Sequence, residues 1–229
     1  MKDYIFQINL YSDTLTGSGE GYGAVIDDDI VFDDFGLPFI PAKRIKGCLR
    51  ESAEEVCHMM YLSQVKGILK LSLNQDFQSY QIILNLFGIP GQRDSAPLEF
   101  SNLMIGDYKD NRAAISYFQD HYPEIVTKEG VLQTFTRTRQ HTAINPDSGT
   151  AKEHSLRTYR VLKAGNSFFG KIQDKTDDLE TRSLLVLAAA NLRKIGTSRT
   201  RGYGEVECFL HENGKILKVT DIWRKNGQD

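Results

Sequence analysis

With 229 residues, of which 40% are apolar and 25% charged, the chain has the length and make-up for one large globular domain or two small ones, which argues against disorder. A net charge of -2 argues against a uniformly basic nucleic-acid binder. No run approaches the roughly 18 apolar residues of a membrane span, and the opening MKDYIFQINLYSD lacks the apolar block of a secretory signal, so a cytoplasmic location without membrane contact is expected.

In chain order, YIFQINLYS (4–12) alternates and is rich in aromatic and β-branched residues, which predicts a strand. After TGSGEGYG, the stretch AVIDDDIVF (24–32) reads as a second extended piece. Pro41 stands where a helix can begin, and Ile45, Leu49, Ala53, Val56 and Met60 recur at helical spacing behind it. SYQIILNLFG (79–88) predicts a short helix. The loop IPGQRDSAP then leads to a strand, LEFSNLMIGD (98–107), and NRAAISYFQDH (111–121) predicts another helix. From 131 to 173 the pattern is extended, with VLQTFTRTRQHTAI and SLRTYRVLKAGNSFFGKI flanking the turn-rich NPDSGTAKEH. LETRSLLVLAAANLRKI (179–195) predicts a helix ending at Gly196, and YGEVECFLHE a closing strand. Without its insertions the order is β, α, β, β, α, β. That predicts a single α+β domain over 1–229 with a ferredoxin-like sheet covered by helices on one face. Irregular stretches at about 13–40 and 131–163 are then functional excursions.

Charge is segregated. Asp27, Asp28, Asp29, Asp33 and Asp34 occupy eight positions, and Lys43, Arg44, Lys46 and Arg50 another eight that hold no acid. Three stretches, 43–50, 134–163 and 193–201, carry 14 of the 28 lysines and arginines against two acids, Asp147 and Glu153. Converging on one face, they would form the positive track that a phosphate backbone requires; apart, they are three solvated faces. The helix after Pro41 opens with bases, against the preference of the helix dipole, which suggests an anion near its start. In GTSRTRGYGEVE (196–207), Arg199 and Arg201 offer bidentate donors, and the loop Gly202, Tyr203, Gly204 permits close backbone approach. Neither this loop nor GSGEGYG (17–23) matches a nucleotide-binding fingerprint, because neither runs from strand to helix. Cys48, Cys57 and Cys208 make no paired framework and no zinc pattern, and are expected to be reduced and buried.

LPFIPAKRIKGCLRE early in the chain, paired with LRKIGTSRTRGYGEVE late in it, resembles the RAMP superfamily of CRISPR systems. Members of that family keep an IPGSSLKG-like segment and a late glycine-rich loop. YGAVIDDDIVFDDFGLPFIP resembles the loop before that segment in backbone subunits of type III effector complexes. TRTRQHTAINPDSGTAKEHSLRTYRVLKAGNSFFG resembles their thumb-like hairpin. At 42–44, Ala-Lys-Arg replaces the small residues of the family pattern.

The resemblance implies an RRM-related palm with a β-hairpin thumb. It also implies an antiviral role in which the chain binds CRISPR RNA, lets the guide pair with target RNA, and assembles with other subunits, including copies or relatives of itself. Implied RNA-binding residues are Lys43, Arg44, Lys46, Arg50, Arg137, Arg139, His141, Lys152, Arg157, Arg199, Arg201, Gly202, Tyr203 and Gly204. Phe135, Ile144, Leu156 and Tyr159 are candidates for a wedge between bases. In slicing members an aspartate before the IPG-like segment serves target-RNA cleavage with Mg²⁺. Position assigns that role to Asp27, with Asp28 as the alternative, while an acidic loop without chemistry would leave a structural RNA-binding subunit. In an extended stretch Asp27 and Asp29 face one side and Asp28 the other, and Asp33 and Asp34 belong to the turn before Gly36. A small-molecule enzyme on the same fold would need a compact apolar pocket that the sequence does not suggest.

Overall fold

The structure, a computed structural model, describes residues 1–17, 26–63, 76–89 and 96–226. The first half of these forms β1 (Lys2–Leu10), β2 (Phe39–Ile40), α1 (Ala42–Leu62), α2 (Asp76–Phe87), β3 (Leu98–Phe100), β4 (Leu103–Ile105) and α3 (Tyr108–His121). The second half forms α4 (Lys128–Phe135), β5 (Thr136–His141), β6 (Arg157–Leu162), β7 (Ser167–Asp174) and α5 (Leu179–Asn191). A 3₁₀ turn at Arg199–Arg201, β8 (Val206–Glu212), β9 (Lys215–Ile216) and α6 (Val219–Asn226) complete the chain.

β1 is the middle of the main sheet. It pairs antiparallel with β7 on one side, Phe6 opposite Gly170, and with β8 on the other, Phe6 opposite Leu210. β3 and β4 both pair with β7, so the order β4, β7, β1, β8 reproduces the ferredoxin-like arrangement that the element order predicts. Alternation along β1 turns Tyr4, Phe6, Ile8 and Leu10 inward. Ile45, Leu49, Ala53 and Val56 of α1 and Leu184, Leu185, Ala188 and Ala189 of α5 join them in one core. Each large apolar side chain so buried contributes about 1.5–3 kcal/mol.

Local signals account for the helix ends. Asp178 caps α5 by accepting the Thr181 N–H at 2.6 Å. α1 begins after Pro41 with no side-chain cap on that residue and no acid in its first turn, and the Ala42 N–H is taken up by Asn102 Oδ1 at 2.9 Å.

The structure departs from the sequence reading at several points. The strand expected at 98–107 breaks in two at Ser101 and Asn102: the Ser101 N–H still donates to the Lys171 carbonyl of β7 at 2.9 Å, but the Asn102 side chain turns to α1. Residues 131–135, read as extended, belong to α4; Thr127 caps it by accepting the Gly130 N–H at 3.1 Å, and Val131 and Leu132 are buried. α5 stops at Asn191 rather than continuing to 195, and Lys194 instead pairs with Glu205. Residues 26–32 form isolated bridges in place of a strand; Asp28 pairs with Tyr159 and Phe32 with Pro38. The glycine-rich stretch at 18–23 and most of the loop IPGQRDSAP lie outside the described residues.

Candidate nucleic-acid interface

Two of the three basic stretches meet in a cavity of about 610 Å³. Lys43, Arg44 and Cys48 from the first turns of α1 line one side, and Gly196, Thr197 and Arg199 from the glycine-rich loop line the other. The β1–α1 and α5–β8 units both deliver their connections to the same end of the sheet, and this brings segments about 150 positions apart into one wall. Among the described residues, Lys43 and Arg44 form no ion pair, so their charge is available to a ligand. Arg199 is held by Glu51 at 3.3 Å and by the Gly196 carbonyl at 3.0 Å. Lys46, half-buried beside Arg50, has its pKa lowered by burial first and by the Arg50 charge second. Arg50 itself lies 3.6 Å from Glu54.

The glycine-rich loop is shaped by contacts within the chain. Gly204 has φ +78°, and a Cβ there would fall 2.0 Å from the Ile195 carbonyl oxygen, so its glycine serves packing. Gly202, at φ +83°, faces open space and alone of the two offers its backbone to a partner. Arg201 is exposed beside it.

The third basic stretch is the β5–β6 hairpin, a separate two-stranded sheet with Arg137 opposite Val161, Arg139 opposite Tyr159 and His141 opposite Arg157. It docks on the glycine-rich loop through His141, whose Nε2 lies 3.0 Å from the Tyr203 hydroxyl. Residues 26–29 run along the other side of β6. The Asp27 N–H donates to the Thr158 carbonyl at 2.8 Å, and the Arg160 N–H donates to the Asp28 carbonyl at 3.2 Å.

Here the acidic cluster finds its partners. Asp27 accepts the Thr158 N–H at 2.7 Å and Arg157 Nη1 at 2.9 Å, and these two contacts, in that order, hold its carboxyl below the usual carboxylate range. Asp29 is buried and pairs with buried Arg160 at 3.1 Å; burial pushes its carboxyl up and Arg160 opposes that. Asp28 shares a bridge with Tyr159, and its carboxylate fills the space a side chain at Gly17 would need. Asp33 closes the turn before Gly36 by accepting the Phe35 and Leu37 N–H groups, each at 2.9 Å.

Asp13 completes the set. Its carboxylate accepts from Arg139 at 2.7 Å and lies 3.5 Å from Arg137. Nothing in the sequence around it distinguishes Asp13 from any loop aspartate. Arg137, Arg139 and Arg157 are therefore each paired with an aspartate of the same chain, whereas Lys152 is exposed in the hairpin loop. Of the wedge candidates, Ile144 and Leu156 are exposed near the hairpin tip, Tyr159 packs on His141, and Phe135 packs from the end of α4 against the core.

Among the described residues no group of three or more His, Cys, Asp or Glu side chains could hold a metal ion. A single hard carboxylate such as that of Asp27 would be enough to complete the shell of a Mg²⁺ ion whose other ligands came from a bound partner. The cysteines are free, Cys57 and Cys208 buried and Cys48 half-buried. No described helix is long and apolar enough to cross a membrane.

Curated proteins include no sequence match to this chain. Two cryo-EM structures are among those that share its fold. A chain of Type III-B Cmr-beta in the apo state superposes with a TM-score of 0.62 at 12% identity, covering 93% of this chain and 99% of that one. A chain of Type III-B Cmr-beta bound to cognate target RNA does so at 0.60 and 12%, covering 97% and 99%. The sequence profile of the RAMP superfamily matches residues 8–207, from the central strand through the glycine-rich loop that closes the cationic cavity, and the chain belongs to that superfamily.

Proposed function

We propose that this chain is a CRISPR RNA-binding backbone subunit of a type III effector complex and that it cleaves guide-paired target RNA at the loop carrying Asp27. The reading rests on one observation above all: Lys43 and Arg44 share a cavity with Arg199. A strand laid there is gripped through its phosphates, while base pairing with the guide supplies sequence specificity. That both Cmr-beta structures share this fold over nearly their whole chains supports the same assignment.

Asp27 brings a permanent negative charge to the edge of the hairpin, and Arg157 beside it offers two-pronged charge to a phosphoryl group that enters between them. A Mg²⁺ ion carried in by the RNA, its shell completed by the Asp27 carboxylate, would neutralise charge on the reacting phosphate. Ile144 and Leu156 stand exposed where a wedge would part the bases.

The experiment is cleavage of labelled target RNA by the assembled complex, with Asp27→Ala and Asp28→Ala measured separately. Loss of cleavage with retained target binding supports the proposal. A second reading, a structural RNA-binding subunit without chemistry, is favoured by the pairing of Asp27 and Asp29 with hairpin arginines, since these aspartates then serve as hairpin anchors. It predicts unchanged cutting with both variants, and a guide RNA that still copurifies with the protein.

A further inference from the structure

Asp27 is poorly suited to move protons near neutral pH. Its carboxyl is held below the usual range by Thr158 and Arg157, so it remains an anion where a general base needs a pKa close to the working pH. Histidine is the side chain type that exchanges protons in that range. One stands two strands away, at about 9–10 Å by strand spacing: His141, directly opposite Arg157 in the hairpin register. Its half-buried ring is fixed between two tyrosines, with centroids 5.5 Å from Tyr159 and 5.7 Å from Tyr203, and its Nε2 meets the Tyr203 hydroxyl at 3.0 Å. Carboxylate, guanidinium, imidazole and phenol thus follow one another across the junction of hairpin and glycine-rich loop.

We propose that His141 and Tyr203 are the proton-transfer pair of the cleavage step, acting on an RNA phosphodiester held at this junction; the inference rests on the endoribonuclease reading above. With Nε2–H directed at the Tyr203 oxygen, Nδ1 is left to accept the proton of the attacking 2'-hydroxyl. The bond from O2' to phosphorus forms and the bond from phosphorus to O5' breaks. The Tyr203 phenol gives its proton to the departing 5'-oxygen, and the imidazolium returns one to Tyr203 across the 3.0 Å contact. The products are a 2',3'-cyclic phosphate and a 5'-hydroxyl, and no outside reagent is consumed. Besides the two tyrosines packed on the ring, its charged neighbours on the hairpin are Arg157, opposite His141 in the register and paired with Asp27, and Arg139, two residues before it in β5 and paired with Asp13. As residue types, none of these normally changes charge between pH 5 and 8, so a limb of the pH–rate profile in that window belongs to the imidazole.

The test uses the assembled, guide-loaded complex and a labelled complementary RNA under single-turnover conditions. With complex in saturating excess over RNA, so that a weakened contact does not limit the rate, His141→Gln is expected to slow cleavage by about 10²-fold or more and to erase the limb between pH 5 and 8. Tyr203→Phe is expected to slow the same step. Added imidazole is expected to restore part of the rate to His141→Gly, which a packing role for the ring would not allow. Wild-type rate and an unchanged pH profile in His141→Gln, with cleavage abolished by Asp27→Ala, would overturn this inference alone. Wild-type cleavage in Asp27→Ala would overturn the reading beneath it. If His141→Gln fails to assemble, failure of imidazole to rescue His141→Gly together with a wild-type rate for Tyr203→Phe overturns the proposal.

Discussion

Asp29 and Arg160 form an ion pair at 3.1 Å with both side chains almost wholly buried, at the point where the loop before α1 meets the hairpin. Arg160 reaches Glu129 of α4 as well, at 3.0 Å, so one guanidinium ties three segments together. Removing one partner of a buried pair leaves the other charge without compensation, whereas replacing both with apolar residues need not destabilise.

Asp29→Ala is therefore expected to cost about 3–5 kcal/mol, at the lower end because Glu129 still meets Arg160. The double replacement Asp29→Leu with Arg160→Met is expected to recover most of that loss. Urea denaturation of the two variants checks both values, and a double variant no more stable than Asp29→Ala would contradict the argument.

The Asp27 contact carries a pH dependence of defined sign. Its folded-state pKa lies below the ordinary value of about 3.9, so the stabilisation is fully present above that pH and is lost as acid takes the pH down through the folded value. Hydrogen exchange at the Thr158 amide, the donor to Asp27 Oδ2, is expected to lose protection on acidification below about pH 4. Asp27→Asn is expected to show reduced protection at every pH.

The proposed phosphate grip of the cavity predicts a salt dependence. Arg44→Ala combined with Arg199→Ala is expected to lower the slope of log affinity against log salt by about 1.4 for single-stranded RNA, at about 0.7 per lost phosphate contact. Fluorescence anisotropy of a labelled oligoribonucleotide across a salt series measures it; an unchanged slope would place the RNA elsewhere.

The two glycines beside Tyr203 are expected to respond differently to alanine. At Gly204 the new Cβ meets the Ile195 carbonyl oxygen at 2.0 Å on top of a positive φ, and a loss of at least about 2 kcal/mol is expected. At Gly202 nothing lies within 4 Å, so only the backbone strain of about 1–2 kcal/mol remains. Thermal unfolding of the two variants orders them.

Much of the palm is legible in the sequence because its signals are local. Alternation from Tyr4 to Leu10 marks β1, and the spacing of Ile45, Leu49, Ala53, Val56 and Met60 marks α1, since each periodicity reflects one buried face. α4 escapes because it is only eight residues long and holds Gly130, a poor helix former, in its first turn, and its cap at Thr127 carries as much of the signal as its interior. The charge clusters of 43–50 and 193–201 are visible as runs, but the sequence leaves a shared track and separate solvated faces both open, and the cavity the two stretches line comes only with the fold.

The sequence by itself determined the main strands and helices of the palm, the ferredoxin-like order they follow and the presence of segregated charge, because periodicity and composition are properties of neighbouring residues. Only the tertiary structure decided which charges neutralise each other. Asp27 meets Arg157 across 130 positions, Asp13 meets Arg139 across 126, and His141 meets Tyr203 across 62. Such pairings depend on where the docked hairpin lies in space, and no local pattern encodes a contact whose two halves are specified so far apart.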